Sequence, residues 1–342
     1  MYLKQLVKQL NAELFNPPDG DVLIEGVAPL DRANARQVSF ITDESYLKFL
    51  SSTKAAAVIV KAVIDGIDIP QIVHANPYYI FAKTAQIFHP GRTSESGISP
   101  LADIGKRTEI GKNVLIMPYV RIGDDCKIGD NTVIHSHVAL ANRVSIGSAS
   151  ILYSNISIYS DCKLGERVVI HSGSVIGSDG FGYAPGADDI AKIPQVGGVV
   201  IEDDVEIGAL CSVNSGTMTP TVIGKGSKID SHCHIAHNCT IGQHSMLCGK
   251  AAMAGSSHVG NWCVIGGATN ISNQVRIADR IRVGGMAGVT KSLSEPGDYM
   301  GFPAVPAKEW RKSLVASRRM SSLEKQVKEL TLKFEKQIHT EK

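Results

Sequence analysis

The sequence predicts a mainly β protein, a parallel β-helix with a small α/β domain before it and a helical extension after it. Three observations carry this reading. An aliphatic residue returns every six positions from Ile98 to Ile176, fourteen times without a miss. The chain holds 33 glycines but only 6% aromatic residues, a balance that suits a stacked repeat better than a core filled with large rings. The six-residue period is absent before residue 98 and after about residue 303, where other patterns take over.

Residues 1–97 alternate helix and strand signals. Leu3, Leu6, Val7, Leu10 and Leu14 mark an amphipathic helix, VLIEGVAPL, VSFIT, AAAVIV and QIVHA read as short strands, and NPYYIFAKTAQIF reads as a second helix. Within 98–303 each hexad supplies one short strand and one corner. The aliphatic residue points inward, and the glycine that often follows it, as in IGKRTE and IGKNVL, is expected to let the backbone turn. Three hexads close a triangular coil, so residues eighteen apart stack at the inter-strand spacing of about 4.8 Å. The phase breaks at 177–200, a stretch rich in Gly, Pro and Asp that reads as an extruded loop. It resumes through Ile201, Ile207 and Val213, slips again near Thr217–Thr221, and runs from Ile223 to Val289.

Residues 304–342 are expected to form C-terminal helices. Met320, Leu323, Val327, Leu330 and Phe334 are spaced by three and four, a seam that must be buried on something. On a three-faced prism the natural partner is the same helix of neighbouring chains, which predicts a homotrimer. From Pro306 onward there are ten Lys or Arg against five Glu, so the tail is +5 and the remainder of the +2 chain is −3. Arg311, Lys312, Arg318 and Arg319 on that tail would suit an acidic protein partner.

With 35 basic and 33 acidic residues, bulk electrostatics argue against nucleic acid as a partner. The longest apolar stretches fall far short of the ~20 residues of a membrane span, and the start lacks the apolar core of a signal peptide. A cytoplasmic protein without stable membrane insertion is expected. The seven cysteines form no C-x-x-C pair, which disfavours a disulfide framework. His232, Cys233, His234, His237 and Cys239 crowd together but match no trusted zinc spacing; no metal and no cofactor is expected.

The chemistry is sought where side chains interrupt the repeat. His237 follows the inward Ile235 by two residues and is the side-chain type best suited to take a proton near neutral pH. Eighteen residues on stands Gly255, one coil above, where a bare backbone N–H can meet an oxyanion. A base and a donor in stacked coils suit acyl transfer.

The α/β domain, the coils, the loop GSDGFGYA followed by KIPQVG, the run IAHN and the ending EPGDYMGFPAVPAKEWRK together resemble the UDP-3-O-acylglucosamine N-acyltransferase family of lipid A biosynthesis, over nearly the whole chain. The resemblance implies a left-handed coil with active sites between subunits of a trimer. It implies that His237 deprotonates the 2-amino group of the acylated glucosamine, that the amine attacks a 3-hydroxyacyl thioester of acyl carrier protein, that Gly255 holds the oxyanion, and that Asp230 assists the histidine. It also implies that Phe40, Asp43 and Tyr46 of a uridine-binding N-terminal domain grip the uracil, and that Asn238 and Gln274 contact substrate. Three departures stand out: Asp43 replaces a usual Asn, Asn214-Ser215 a common Asp-Arg pair, and Gln274 a second histidine near the phosphates. All three are expected to alter substrate handling. The alternatives are a related hexapeptide acyltransferase acting on another amino sugar, from acyl carrier protein or acyl coenzyme A, and a non-catalytic or carbonic-anhydrase-like trimer.

Overall fold

The computed structural model describes residues 1–89, 96–301 and 306–340, with side chains as far as Lys333 apart from Glu44. Phe334 at the end of the expected seam, the charged side chains beyond Lys333 and the Phe302–Val305 stretch lie outside the described residues. The chain divides after Ser94 into two units.

The first unit begins with a helix, Leu3–Gln9, that buries Leu3, Leu6 and Val7. Leu14, read in the sequence as part of this helix face, instead lies on the strand Glu13–Phe15. The chain reverses at Asn11, whose φ is 50°. That strand pairs antiparallel with Gln71–Val73, and the sheet continues in parallel through Ala57–Val60, Gln37–Phe40 and Gly26–Val27. Ala57–Val60 is buried at every position, as a strand covered on both faces requires. The helix Pro77–Phe88 starts where Asn76 Oδ1 accepts from the Tyr79 amide at 3.1 Å and proline occupies its first turn.

In the second unit, strands of two to four residues stack into three parallel faces of ten, nine and eleven strands. The register is the expected eighteen: Arg121 sits beside Ala139 and Ile122 beside Leu140, and Val133 beside Ile151. The aliphatic hexad residues form one continuous core, with Ile134, Leu152, Ile170, Ile176 and Ile265 fully buried. The first strand, Gly97–Ile98, already pairs with Leu115–Ile116, so the coils begin at Gly97.

The corners are built differently from the expectation. The glycine after the aliphatic residue does not make the turn; the third residue after the aliphatic one does, as at Arg107, Asn113 and Tyr119 with φ of 58°, 55° and 64°. Such a backbone costs an L-residue about 1–2 kcal/mol, and the coils offset it by tying each corner to its neighbour, as where the Asp125 amide donates to the Lys106 carbonyl at 3.0 Å and Arg143 to Asp124 at 2.9 Å. The glycine has another cause: a Cβ on Gly105 would collide with the backbone of Gly123 in the next coil. Corner side chains then ladder. Arg107 grips Asp125 through two bonds of 2.6 and 2.7 Å, and Arg143 grips Asp161 at 2.7 and 2.8 Å.

Two insertions interrupt the stack. The first carries its own antiparallel hairpin, Tyr183–Pro185 with Ile190–Lys192, and stretches the register from 18 to 37, so that Lys163 pairs with Val200. The second adds four residues, so that Ser212 pairs with His234, 22 positions on. Beyond the coils the described residues form one continuous helix, Ala307–Thr340, where several had been expected.

Candidate functional site

Both insertions leave the prism at the same edge. The hairpin departs after Val175–Ser178 and the four-residue insertion after Ser212–Asn214, and these strands are stacked neighbours of His234–Ile235 in the ten-stranded face. The next corner along that edge carries His237. Three consecutive coils therefore deliver a loop, a bulge and a histidine to one place, although the residues are far apart in sequence.

His237 opens onto a groove of about 700 Å³ whose lining includes Phe181, His234, Gly255, Asn270 and Gln274. The close approach of Gly255 is a matter of space: a Cβ there would lie 2.5 Å from His237 Nε2, closer than packed atoms tolerate. Its amide is free. In several other coils the equivalent N–H is capped by a side chain from eighteen residues on, as Lys106 by Asp124 and Gln243 by Asn261, both at 2.7 Å, whereas at Gly255, as at Ser136 and Ser154, the described hydrogen bonds give it no acceptor. A bare donor thus stands beside an imidazole nitrogen in an open groove, which is the geometry that stabilises charge developing on a carbonyl oxygen.

What holds the imidazole is its own neighbour in the chain. His237 Nδ1 lies 3.0 Å from Asn238 Oδ1, and Asn238 is itself a corner residue with φ of 57°. Asn238, expected to touch substrate, spends its amide on protein: Oδ1 accepts from the Thr217 amide at 3.0 Å, and Nδ2 donates to the Thr219 carbonyl at 2.9 Å. The inserted loop packs behind the ring, since a Cβ on Gly180 would collide with His237 Cβ. The His237 backbone is tied upward, its carbonyl accepting from Ser256 N–H at 2.9 Å. Only the irregular spacing near 217–221 signalled any of this in the sequence, and it read as a bulge without a task.

Gln274 is brought to the same groove, its backbone amide donating to the Gly255 carbonyl at 3.1 Å. Asp230 is not. Its two carboxylate oxygens accept from the amides of Ser231 at 2.7 Å and Gly249 at 2.9 Å, and it lines a second groove of about 430 Å³ with His171, Met246 and Cys248. Asn214 and Ser215, expected to handle substrate, are 7% and 4% exposed. They anchor the root of the inserted loop instead: Asn214 Nδ2 donates to Ser178 Oγ at 3.0 Å and Ser215 Oγ to the Gly177 carbonyl at 2.8 Å. The crowded His and Cys residues separate by strand alternation, with Cys233 and Cys239 inside the prism and His232 and His234 outside.

In the first unit, Phe40 ends a strand and stacks on Phe81 with ring centroids 4.0 Å apart. Tyr46, in the 3-10 helix Glu44–Phe49, is 50% exposed. Asp43 caps that helix, its Oδ1 accepting from Ser45 N–H at 2.8 Å. Hydrogen bonds from the Ser45 side chain and backbone hold its carboxyl below the usual range, so at neutral pH it only accepts hydrogen bonds. On the C-terminal helix, Lys308, Arg311, Lys312 and Arg319 share one stripe with Val315 and Leu323. Arg318 lies just off it.

The sequence model of UDP-3-O-(3-hydroxymyristoyl) glucosamine N-acyltransferase, LpxD, matches residues 21–87, and that of the bacterial transferase hexapeptide matches 107–142 and 220–255. The UDP-3-O-acylglucosamine N-acyltransferase of Hahella chejuensis is 41% identical over 330 residues, which cover 96% of this chain and 94% of that protein. The protein of the same name from Herminiimonas arsenicoxydans is 36% identical over 336 residues, 96% of this chain and 95% of its own. Among solved structures, an Arabidopsis UDP-N-acetylglucosamine acyltransferase superposes with a TM-score of 0.54 at 22% identity, covering 60% of this chain and 71% of that one. At that identity the likeness is one of fold.

Proposed function

The chain belongs to the UDP-3-O-acylglucosamine N-acyltransferase family, and from that premise we propose that it is an N-acyltransferase of lipid A biosynthesis, moving a 3-hydroxyacyl chain from acyl carrier protein to the 2-amino group of UDP-3-O-acylglucosamine. The observation that carries this reading is the unpartnered Gly255 amide beside His237 Nε2 in one open groove. The amine nitrogen attacks the thioester carbonyl as Nε2 takes its proton. The carbonyl oxygen becomes an oxyanion that Gly255 N–H stabilises. The intermediate collapses with the C–N bond formed and the C–S bond broken, and the imidazolium returns its proton to the departing thiolate.

The remaining residues take the roles that the resemblance implies. Gln274 donates its amide to the nucleotide phosphates. Phe40 and Tyr46 hold the uracil between rings, and the ionised Asp43 accepts from the uracil N–H, a role that an acceptor-only group can fill. We infer a homotrimer in the cytoplasm and, as the Asp230 groove is separate from that of His237 within one chain, we assign Asp230 to assisting the histidine of a neighbouring subunit. The basic stripe with Arg311, Lys312 and Arg319 draws in the acidic carrier protein.

Single-turnover transfer from a radiolabelled 3-hydroxyacyl carrier protein tests the proposal. The wild-type protein transfers label, and His237→Ala loses it by about 10²–10⁴-fold, the usual contribution of a general base. Unchanged transfer by the variant would remove His237 from the mechanism. No transfer by the wild type would favour another amino sugar, with Asp43 and Gln274 as the residues that changed the substrate.

A further inference from the structure

A neutral histidine is a base at only one of its two nitrogens, and which one depends on where the hydrogen sits. Here the choice is made by groups whose own polarity is not in question. Asn238 Oδ1 faces the Thr217 backbone N–H at 3.0 Å, which can only donate, and Nδ2 faces the Thr219 backbone carbonyl at 2.9 Å, which can only accept. The Asn238 amide therefore cannot be flipped. Its oxygen is the atom 3.0 Å from His237 Nδ1, and an amide oxygen has no hydrogen to give. Nδ1 must carry the hydrogen, which leaves the lone pair on Nε2, the nitrogen beside Gly255.

The clamp comes from the four-residue insertion. In regular coils a corner amide donates to a carbonyl of the coil below, as Gln274 does to Gly255 at 3.1 Å. At Asn238 this bond is replaced: its N–H donates to Thr221 Oγ1 at 2.9 Å. Thr217 Oγ lies 3.0 Å from Asn238 Oδ1 and 3.3 Å from Gln195 Oε1, tying the clamp to the base of the inserted loop. Gln195 is 8% exposed.

We infer that Thr217 and Thr219, acting through Asn238, are positioning residues that hold His237 as the Nδ1–H tautomer and so make Nε2 the base. The inference deepens the acyl-transfer reading, and its first test does not depend on that reading. In protein labelled with ¹⁵N-histidine at a pH where the ring is neutral, the His237 signals, identified by their loss in His237→Gln, show a protonated Nδ1 and an unprotonated Nε2. In Asn238→Ala the hydrogen moves in part or wholly to Nε2. A wild-type ring protonated at Nε2, or an unchanged ring in Asn238→Ala, overturns the inference whatever the substrate proves to be.

The second test is kinetic. Asn238→Ala lowers kcat/KM by about 100-fold, at the low end of what a general base contributes. Asn238→Asp keeps an oxygen facing Nδ1 and recovers most of that loss. A carboxylate beside the ring stabilises imidazolium, so the acid limb of the pH profile moves up by about one unit. His234 is the other titratable side chain lining the groove, the Asp179–Lys192 ion pair lies on the inserted loop, and neither bonds to the His237 ring among the described contacts; the Asp230 proposed to reach it from a neighbouring subunit is the same in every variant, so only Asn238→Asp adds a carboxylate. A purely structural role would lower kcat/KM in both Asn238 variants without moving the limb. Deleting Thr217–Pro220 restores the six-residue period and removes the clamp; a folded deletion protein shows the Asn238→Ala behaviour in both tests. If the deletion protein does not fold, the two Asn238 variants decide the matter.

Discussion

At the scale of single residues, the site depends on what is missing from Gly255. Its backbone needs no left-handed conformation, so Gly255→Ala adds only a methyl group, and that methyl would meet the His237 ring at 2.5 Å from Nε2 and 2.7 Å from Cε1. The ring can swing into the open groove to escape. Gly255→Ala should therefore leave the thermal midpoint nearly unchanged while lowering kcat by roughly 10²-fold, comparable to losing an oxyanion donor; a midpoint that collapses with activity would mean that the glycine serves packing instead. His237 and Gly255 were legible in the sequence because stacking by eighteen is simple arithmetic once the period is known. The clamp was not, because hydrogen bonds among Thr217, Thr219 and Asn238 cross a coil whose register has been stretched to 22. Asn214 and Ser215 stand out in the sequence only as a departure from a common Asp-Arg pair; their place at the loop root, buried and bonded to Ser178 and Gly177, has no signature in the six-residue period.

At the scale of elements, the coils were the easiest to read and the terminal helix the hardest to interpret. A hexad leaves no choice about which side chain faces inward, whereas Ala307–Thr340 exposes Met320, Leu323, Val327 and Leu330 at 63%, 54%, 59% and 57%. The basic stripe runs beside that seam and shares Leu323 with it. Seam and stripe can then serve different partners on neighbouring faces. Replacing Arg311 and Arg319 together by Glu should raise the apparent KM for carrier protein by about five- to tenfold, consistent with a few exposed pairs of up to ~1 kcal/mol each. Arg318→Glu, off the stripe, should change it far less. Equal effects from the three would reduce the tail to a diffuse positive field. In the first unit the reading failed at Leu14 and over much of VLIEGVAPL, of which only Gly26–Val27 pairs as a strand in the sheet, because period alone does not say where a chain reverses.

At the scale of the whole molecule, the proposed trimer, with the grooves of His237 and Asp230 separate in each chain, makes a prediction about subunits. Mixed trimers made from His237→Ala and Asp230→Ala chains, each feeble alone, should recover part of the wild-type rate, because some interfaces then combine an intact histidine with an intact aspartate. Recovery absent in verified mixed trimers would place both residues' work within one chain. The shared edge of the two insertions has a different consequence. In a solenoid each coil senses only its neighbours, and the register returns to eighteen directly after the second insertion, with Val222 beside Thr240. Lengthening one corner therefore leaves every later coil intact in shape while changing which residues stand beneath the histidine. Natural variation along this edge can retune one reaction centre in isolation, much as a single storey of a tower can be refitted while the floors above keep their plan.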